Sequence, residues 1–133
     1  MAFGRAGLTT GVLGGVLAGD RAPDAPVHGA AGQPTRLFSL FQGPHWTLLG
    51  YEIDRTSAIA SSPGLRIHLV GEKGDIVDDG GHARDAYGLM PGDWVLVRPD
   101  GYIGAIVSSD DVSLLDSYLE NVGLKPVQST EGR

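Results

Sequence analysis

Several residues of this chain carry the side-chain types that chemistry uses. Asp78, Asp79 and His82, with Asp85 one helical turn further on, form a cluster whose oxygens and imidazole suit a divalent metal. A metal site needs converging ligands and an outer shell that orients them, whereas acids ahead of a short helix have a simpler use. Carboxylates there accept the unpaired amide protons of the helix N-terminus, so capping is the expectation and no metal ligand is assigned. His28, His45 and His68 supply acid–base groups, but they share no spacing with a nucleophile and a carboxylate. His68 alternates with apolar neighbours, which puts it on the solvent side of a strand or beside a pairing group. Phe41, Trp46, Trp94 and Tyr102 could build an aromatic pocket, yet large aromatics in strands ordinarily belong to the core, and that is where they are expected. No catalytic residue follows from these patterns.

Composition narrows the function classes further. Cysteine is absent, which removes disulfides, thiolate metal sites and sulfur nucleophiles. Ten Lys plus Arg face sixteen Asp plus Glu, for a net charge of -6, and the basic residues are scattered. Binding to nucleic acid or to an anionic membrane needs concentrated positive charge, so neither is an expected partner. At 133 residues, with 41% apolar side chains, the chain suits one compact domain with one core. The apolar stretch from Gly7 to Gly19 is broken by five glycines, has only Arg5 before it, and is too short for a membrane span. It reads as a flexible lead-in or a former interdomain linker, and the expected location is cytoplasmic.

The elements that must position these residues follow from pattern. After Gly19, Pro23 and Pro26 impose an extended arm. The stretch 28–34 is a turn, and Thr35 to Phe41 completes a short hairpin that ends in one helical turn. His45 to Glu52 is a β-prone run and the first central strand. Ser57 to Pro63 is small and polar, a weak place for a helix. Leu65 to Val70 alternates as a half-buried strand, and Asp75 to Val77 suits a short extended piece. A short helix is expected at His82 to Tyr87, capped in left-handed geometry by Gly88. Trp94 to Val107 is an antiparallel hairpin about Pro99-Asp100-Gly101. Asp110 to Asn121 is a helix, with Val112, Leu115, Tyr118 and Leu119 on one face and Gly123 as its stop. The order describes an α/β sandwich with a mixed central sheet flanked by helices.

This succession resembles the thioredoxin fold in its peroxiredoxin-like branch, through Gly19-Asp20-Arg21-Ala22-Pro23-Asp24, Ala86-Tyr87-Gly88 and the stretch from Leu96 to Ile103. Over about Gly19 to Leu119 the ordered set GDRAPDAPV, LFSLFQGPHWTLL, GHARDAYG and VLVRPDGYIG is similar to the C-terminal domain of FAD-dependent class A aromatic-ring hydroxylases. With the Gly-rich lead-in or linker remnant at 1–18 and the polar, loose tail at 125–133 read from composition, the resemblance implies a thioredoxin-like domain at 19–124. In the family the flavin and the aromatic substrate bind in preceding domains, so the resemblance implies no catalytic, cofactor-binding or metal residue here. It implies a non-catalytic accessory domain, with FAD held by the related full-length enzymes and not by this chain. Its partners would be flavin hydroxylase domains or a second copy. Two other readings are a subunit or fragment of an active FAD-dependent monooxygenase, and a module that binds small aromatic ligands.

The thioredoxin resemblance also fixes where sulfur chemistry would sit, in the segment after Tyr51. That segment offers Thr56 and Ser57 and no thiol, so thiol-type activity is not expected. Leu17-Ala18-Gly19-Asp20 imitates a flavin-contacting GD motif, but Gly11-Val12-Leu13-Gly14-Gly15 is no GxGxxG turn after a strand, so coincidence is the expectation.

Overall fold

A computed structural model describes residues 8–9, 18–53, 64–71, 74–108 and 112–124. Its strands are β1 (Leu8–Thr9), β2 (Pro26–His28), β3 (Pro34–Arg36), β4 (Trp46–Tyr51), β5 (Leu65–Val70), β6 (Val77–Asp78), β7 (Trp94–Val97) and β8 (Ile103–Val107). The helices are α1 (Leu37–Phe41), α2 (His82–Tyr87) and α3 (Val112–Asn121). The central sheet runs β1-β8-β7-β4-β5, with β4 parallel to β5, β7 antiparallel to both β4 and β8, and β1 parallel to β8. This is the mixed sheet of a thioredoxin-like domain. A second, antiparallel sheet in the order β3-β2-β6 lies beside it.

The expected elements form where the patterns place them. Pro99-Asp100-Gly101 turns the hairpin, with Gly101 at φ 87° and its amide donating to the Arg98 carbonyl at 2.9 Å. A side chain strains that left-handed conformation, which is why glycine stands there. Gly88 ends α2 at φ 69°, again left-handed. The weak helix at 57–63, Thr56 and Ser57, the tail from 125 and most of the lead-in lie outside the described residues. Within the lead-in, Leu8–Thr9 adds a strand to the central sheet.

Both faces of the central sheet are covered, so its middle strands read as near-continuous apolar runs, broken in β4 by the buried Thr47, instead of alternating. β7 is buried at every position. On one face Leu49, Val95, Val97, Ile103 and Ile106 pack with Val27, Leu37, Phe41, Ala83 and Tyr87. On the other, Leu48, Trp94, Leu96, Ala105 and Val107 pack with Leu115, Tyr118 and Leu119 of α3. The hairpin has an irregular register: Val97 opposes Ile103, while Leu96 opposes Ala105. One extra residue in β8 reverses which side each later residue faces. Ile103 and Ala105, two apart, therefore enter opposite cores. Gly104 between them sits in tight quarters, because a Cβ would stand 3.1 Å from the Trp46 ring and the ring would have to give way by a few tenths of an ångström.

Candidate functional site

The first place to look for chemistry is the C-terminal end of β4, where the scaffold's sulfur site would lie. Tyr51 closes the strand, donating its amide to the Asp93 carbonyl at 2.9 Å and accepting from the Gly92 amide at 2.8 Å. Glu52 follows at φ 51°, a left-handed conformation that disfavours a side chain. Its amide holds the Val70 carbonyl at 2.8 Å. Gly71 leaves space for the Glu52 carboxylate, since a Cβ there would come within 2.7 Å of it. The Arg84 guanidinium holds Asp85 at 3.1 Å. Burial, and then the charge of Glu52, push the Tyr51 phenol above its ordinary value, with Arg84 opposing. Asp93 is buried, and burial raises its carboxyl against the lowering effect of the Met90 amide, which donates to it at 2.9 Å. These polar groups are matched to one another and to backbone.

The second place is the arm motif Gly19 to Asp24, whose role sequence reasoning left unassigned. Gly19 donates to the Ile103 carbonyl and Ile103 donates back to Asp20, both at 2.8 Å, while the Ala22 amide donates to Gly101 at 2.9 Å. Arg21 lies over the Tyr102 ring at 5.5 Å. The Pro23 carbonyl accepts from the buried Tyr87 hydroxyl. Asp24 accepts from the amides of Ala25 and Phe38, each at 2.9 Å, and from Arg36 at 2.6 Å. Burial opposes ionisation of Asp24, but the Arg36 hydrogen bond and the Phe38 amide hold its carboxyl below the ordinary value. The motif thus fastens the arm to the β7–β8 hairpin, to α2 and to α1 in turn. Asp24 caps α1 from thirteen residues before its first residue, a separation that local capping signals do not reach.

The remaining candidates resolve individually. Asp78 accepts from the amides of Ala83 and Arg84 at 2.8 and 2.9 Å, so its carboxylate caps α2. His82 is exposed on the same helix. Among the described residues no group of three His, Cys, Asp or Glu is gathered for a metal ion. His68 pairs with Asp75 at 2.9 Å, and the other Asp75 oxygen accepts from the Leu69 amide at 2.7 Å. His45 is buried, with Nε2 3.1 Å from the Leu40 carbonyl, and His28 sits in β2 between Pro34 and Val77. The histidines therefore serve separate neighbourhoods. Phe41 and Trp94 are buried in opposite cores, Trp46 packs against the α3 side, and Tyr102 is exposed under Arg21, so the aromatics do not share a pocket. A shallow depression of about 330 Å³ is lined by Pro44, His45, Gly64, Leu65 and Arg66.

With this geometry in hand, comparison with known proteins is specific. The family described as aromatic-ring hydroxylase, C-terminal, matches residues 16–123. Among curated proteins none matches. The crystal structure of aklavinone-11 hydroxylase in a ternary complex with FAD and aklavinone is similar at 27% identity, with a TM-score of 0.62 over 77% of this chain and 20% of that one. The flavin-dependent monooxygenase PieE, in complex with FAD and substrate, is similar at 20% identity, with a TM-score of 0.66 over 78% of this chain and 19% of that one. The chain spans about a fifth of the length of either. No helix among the described residues is long and apolar enough to cross a membrane.

Proposed function

Because this chain belongs to the aromatic-ring hydroxylase C-terminal family, we propose that it is a non-catalytic accessory domain of an FAD-dependent aromatic hydroxylase system. It acts through contacts with the flavin-binding body of such an enzyme, in the cytoplasm, and holds no cofactor of its own. One observation carries this reading: at the end of β4, where the fold would place redox sulfur, the Tyr51 backbone, the Asp93 carboxylate and the Arg84 guanidinium are each engaged with neighbouring groups, and the chain has no cysteine. Support for the absence of a flavin site comes from the same turn. A dinucleotide needs a glycine-rich turn whose amides face the pyrophosphate. Here the turn begins Tyr51-Glu52-Ile53 and brings a carboxylate instead, which does not suit that group.

The test is to purify the chain and mix it with a flavin hydroxylase body from which the C-terminal domain has been removed. Co-elution as a defined complex, with no visible flavin absorbance from the chain alone, is the expected result. Retention of flavin by the isolated chain, or hydroxylation of a phenol by it, would overturn the proposal. The fifth-length coverage favours a second reading, in which the chain works as one piece or subunit of an active monooxygenase. Hydroxylation that appears only when body and chain are combined would select it. The depression beside Arg66 motivates the ligand-module reading, and a flat melting temperature across a set of phenols retires it.

A further inference from the structure

The depression of about 330 Å³ beside Arg66 lies where β4 and β5 begin. There Trp46 pairs with Leu65, and the Trp46 amide donates to the Gly64 carbonyl at 2.8 Å. Pro44 and the buried Leu65 give the depression apolar walls, and His45 and Arg66 give it polar ones. A few polar groups on an apolar wall is the composition of small-ligand sites, and the volume is at their small end. The chain is acidic overall, yet among the described residues no carboxylate lines this place.

His45 is only 7% exposed, and its two ring nitrogens differ. Nε2 lies 3.1 Å from the Leu40 carbonyl. A carbonyl oxygen only accepts, so Nε2 carries the hydrogen and Nδ1 of the neutral ring is left as an acceptor. No described group bonds Nδ1, and among the described residues no buried side-chain nitrogen or oxygen is sealed away without a partner, so Nδ1 is reachable from outside. Gly43 keeps it so: at φ 119°, a Cβ there would stand 2.9 Å from Nδ1. Arg66 is exposed and takes part in none of the ion pairs among the described residues. The depression thus combines an unused acceptor on a nearly buried ring with an unpaired guanidinium.

We propose that this depression binds a small hydroxy acid, an organic anion with an apolar body, a carboxylate for Arg66 and a hydroxyl for His45. The planar guanidinium matches a carboxylate through two parallel hydrogen bonds. An ionised carboxylate has no hydrogen to give Nδ1, so a hydroxyl on the same ligand completes the match. Pro44 and Leu65 take the apolar body. The docking role does not require this site. A simple phenol, the ligand of the module reading, satisfies His45 and leaves Arg66 unused, so the two ideas are tested by different compounds.

The probe is mandelate, with phenylacetate lacking its hydroxyl and methyl mandelate lacking its charge. Titrated into the full chain and followed by proton–nitrogen NMR, mandelate should shift the amides of Gly64, Leu65 and Arg66 saturably, and each control should bind several-fold more weakly. Arg66→Gln, at an exposed position, should keep the fold and weaken mandelate about tenfold, the loss of one charge-assisted pair. His45→Gln keeps a donor for the Leu40 carbonyl, removes Nδ1 and should make mandelate and phenylacetate bind alike. The comparison of the three compounds on the unaltered chain stands whether or not that variant folds. No saturable shift at these amides overturns the proposal, as does mandelate binding that Arg66→Gln leaves unchanged, or phenylacetate bound as tightly as mandelate. Phenol bound as tightly as mandelate also overturns it, and leaves the aromatic-module reading standing in its place.

Discussion

Replacing Tyr87 with Phe isolates one hydrogen bond on which the arm depends. Tyr87 is fully buried, and its hydroxyl donates to the Pro23 carbonyl, 64 residues away in sequence. Phenylalanine keeps the ring and its packing against Val27, Leu37 and Phe41, so no large cavity opens. The loss is the hydrogen bond together with whatever desolvation the Pro23 carbonyl retains. A neutral hydrogen bond contributes about 1 kcal/mol net, and an orphaned buried acceptor adds up to about as much again. Pro23 is partly exposed and can recruit water, which keeps the expected destabilisation at about 1–2 kcal/mol. In a domain of this size that lowers Tm by about 4–8 °C. Tyr87→Ala, which also empties the ring's volume, should cost about 3–5 kcal/mol.

The same residue gives a pH signature. Burial, and secondarily the charge of Asp24, push the Tyr87 phenol far above its ordinary value of 10.0. Below that ordinary value both folded and unfolded chains keep the proton, and the full stability is present. Above it the unfolded chain releases the proton while the folded chain cannot, so stability falls as pH rises. Tyr87→Phe should flatten part of this alkaline limb, leaving the smaller share owed to Tyr51 and Tyr118, whose phenols are also raised. Thermal melts from neutral to alkaline pH, followed by circular dichroism, read both effects. An unchanged Tm together with an unchanged alkaline limb would refute the argument that this hydroxyl ties the arm to α2.

Three further perturbations address the other ties. Asp78→Ala removes the carboxylate that caps α2 and should destabilise by about 1–2 kcal/mol in chemical denaturation, with Asp78→Asn recovering part of the loss. Gly50→Ala would put a Cβ 2.7 Å from both the Trp94 ring and Ile53, so overpacking should cost about 1–3 kcal/mol and alter the near-ultraviolet signal of Trp94. Asp93→Asn keeps an acceptor for the Met90 amide and removes a charge whose carboxyl burial raises. Since a raised carboxyl favours the protonated fold at low pH and loses that advantage as pH rises, the variant should match or exceed the parent in Tm at neutral pH. A lower Tm there would show that the ionised form is required.

Much of the fold is legible because its signals are local. Pro99-Asp100-Gly101 demands a turn whatever surrounds it, Gly88 accepts a left-handed cap, and the spacing of Leu115, Tyr118 and Leu119 defines a buried helical face. The acids before His82 read as a cap for the same reason, since Asp78 finds its amides within a few residues. The order of the motifs was enough to place the chain beside the hydroxylase C-terminal domains, and the family match spans that stretch. The partners of the arm were hidden. Arg21 on Tyr102, Pro23 on Tyr87 and Asp24 on α1 join residues far apart in sequence, and residue type alone does not state which surface an extended arm will meet.

What the sequence by itself determined is most of the elements, their order and the absence of a thiol, because each rests on side-chain type or on contacts within one turn. Tertiary structure alone decided how Gly19 to Asp24 is used, which core each residue of β8 enters after the irregularity at Gly104, and that Leu8–Thr9 closes the sheet's edge. The physical reason is common to all three. Strand edges and carbonyls are chemically alike along the whole backbone, and only the closed arrangement of the chain brings a particular donor to a particular acceptor.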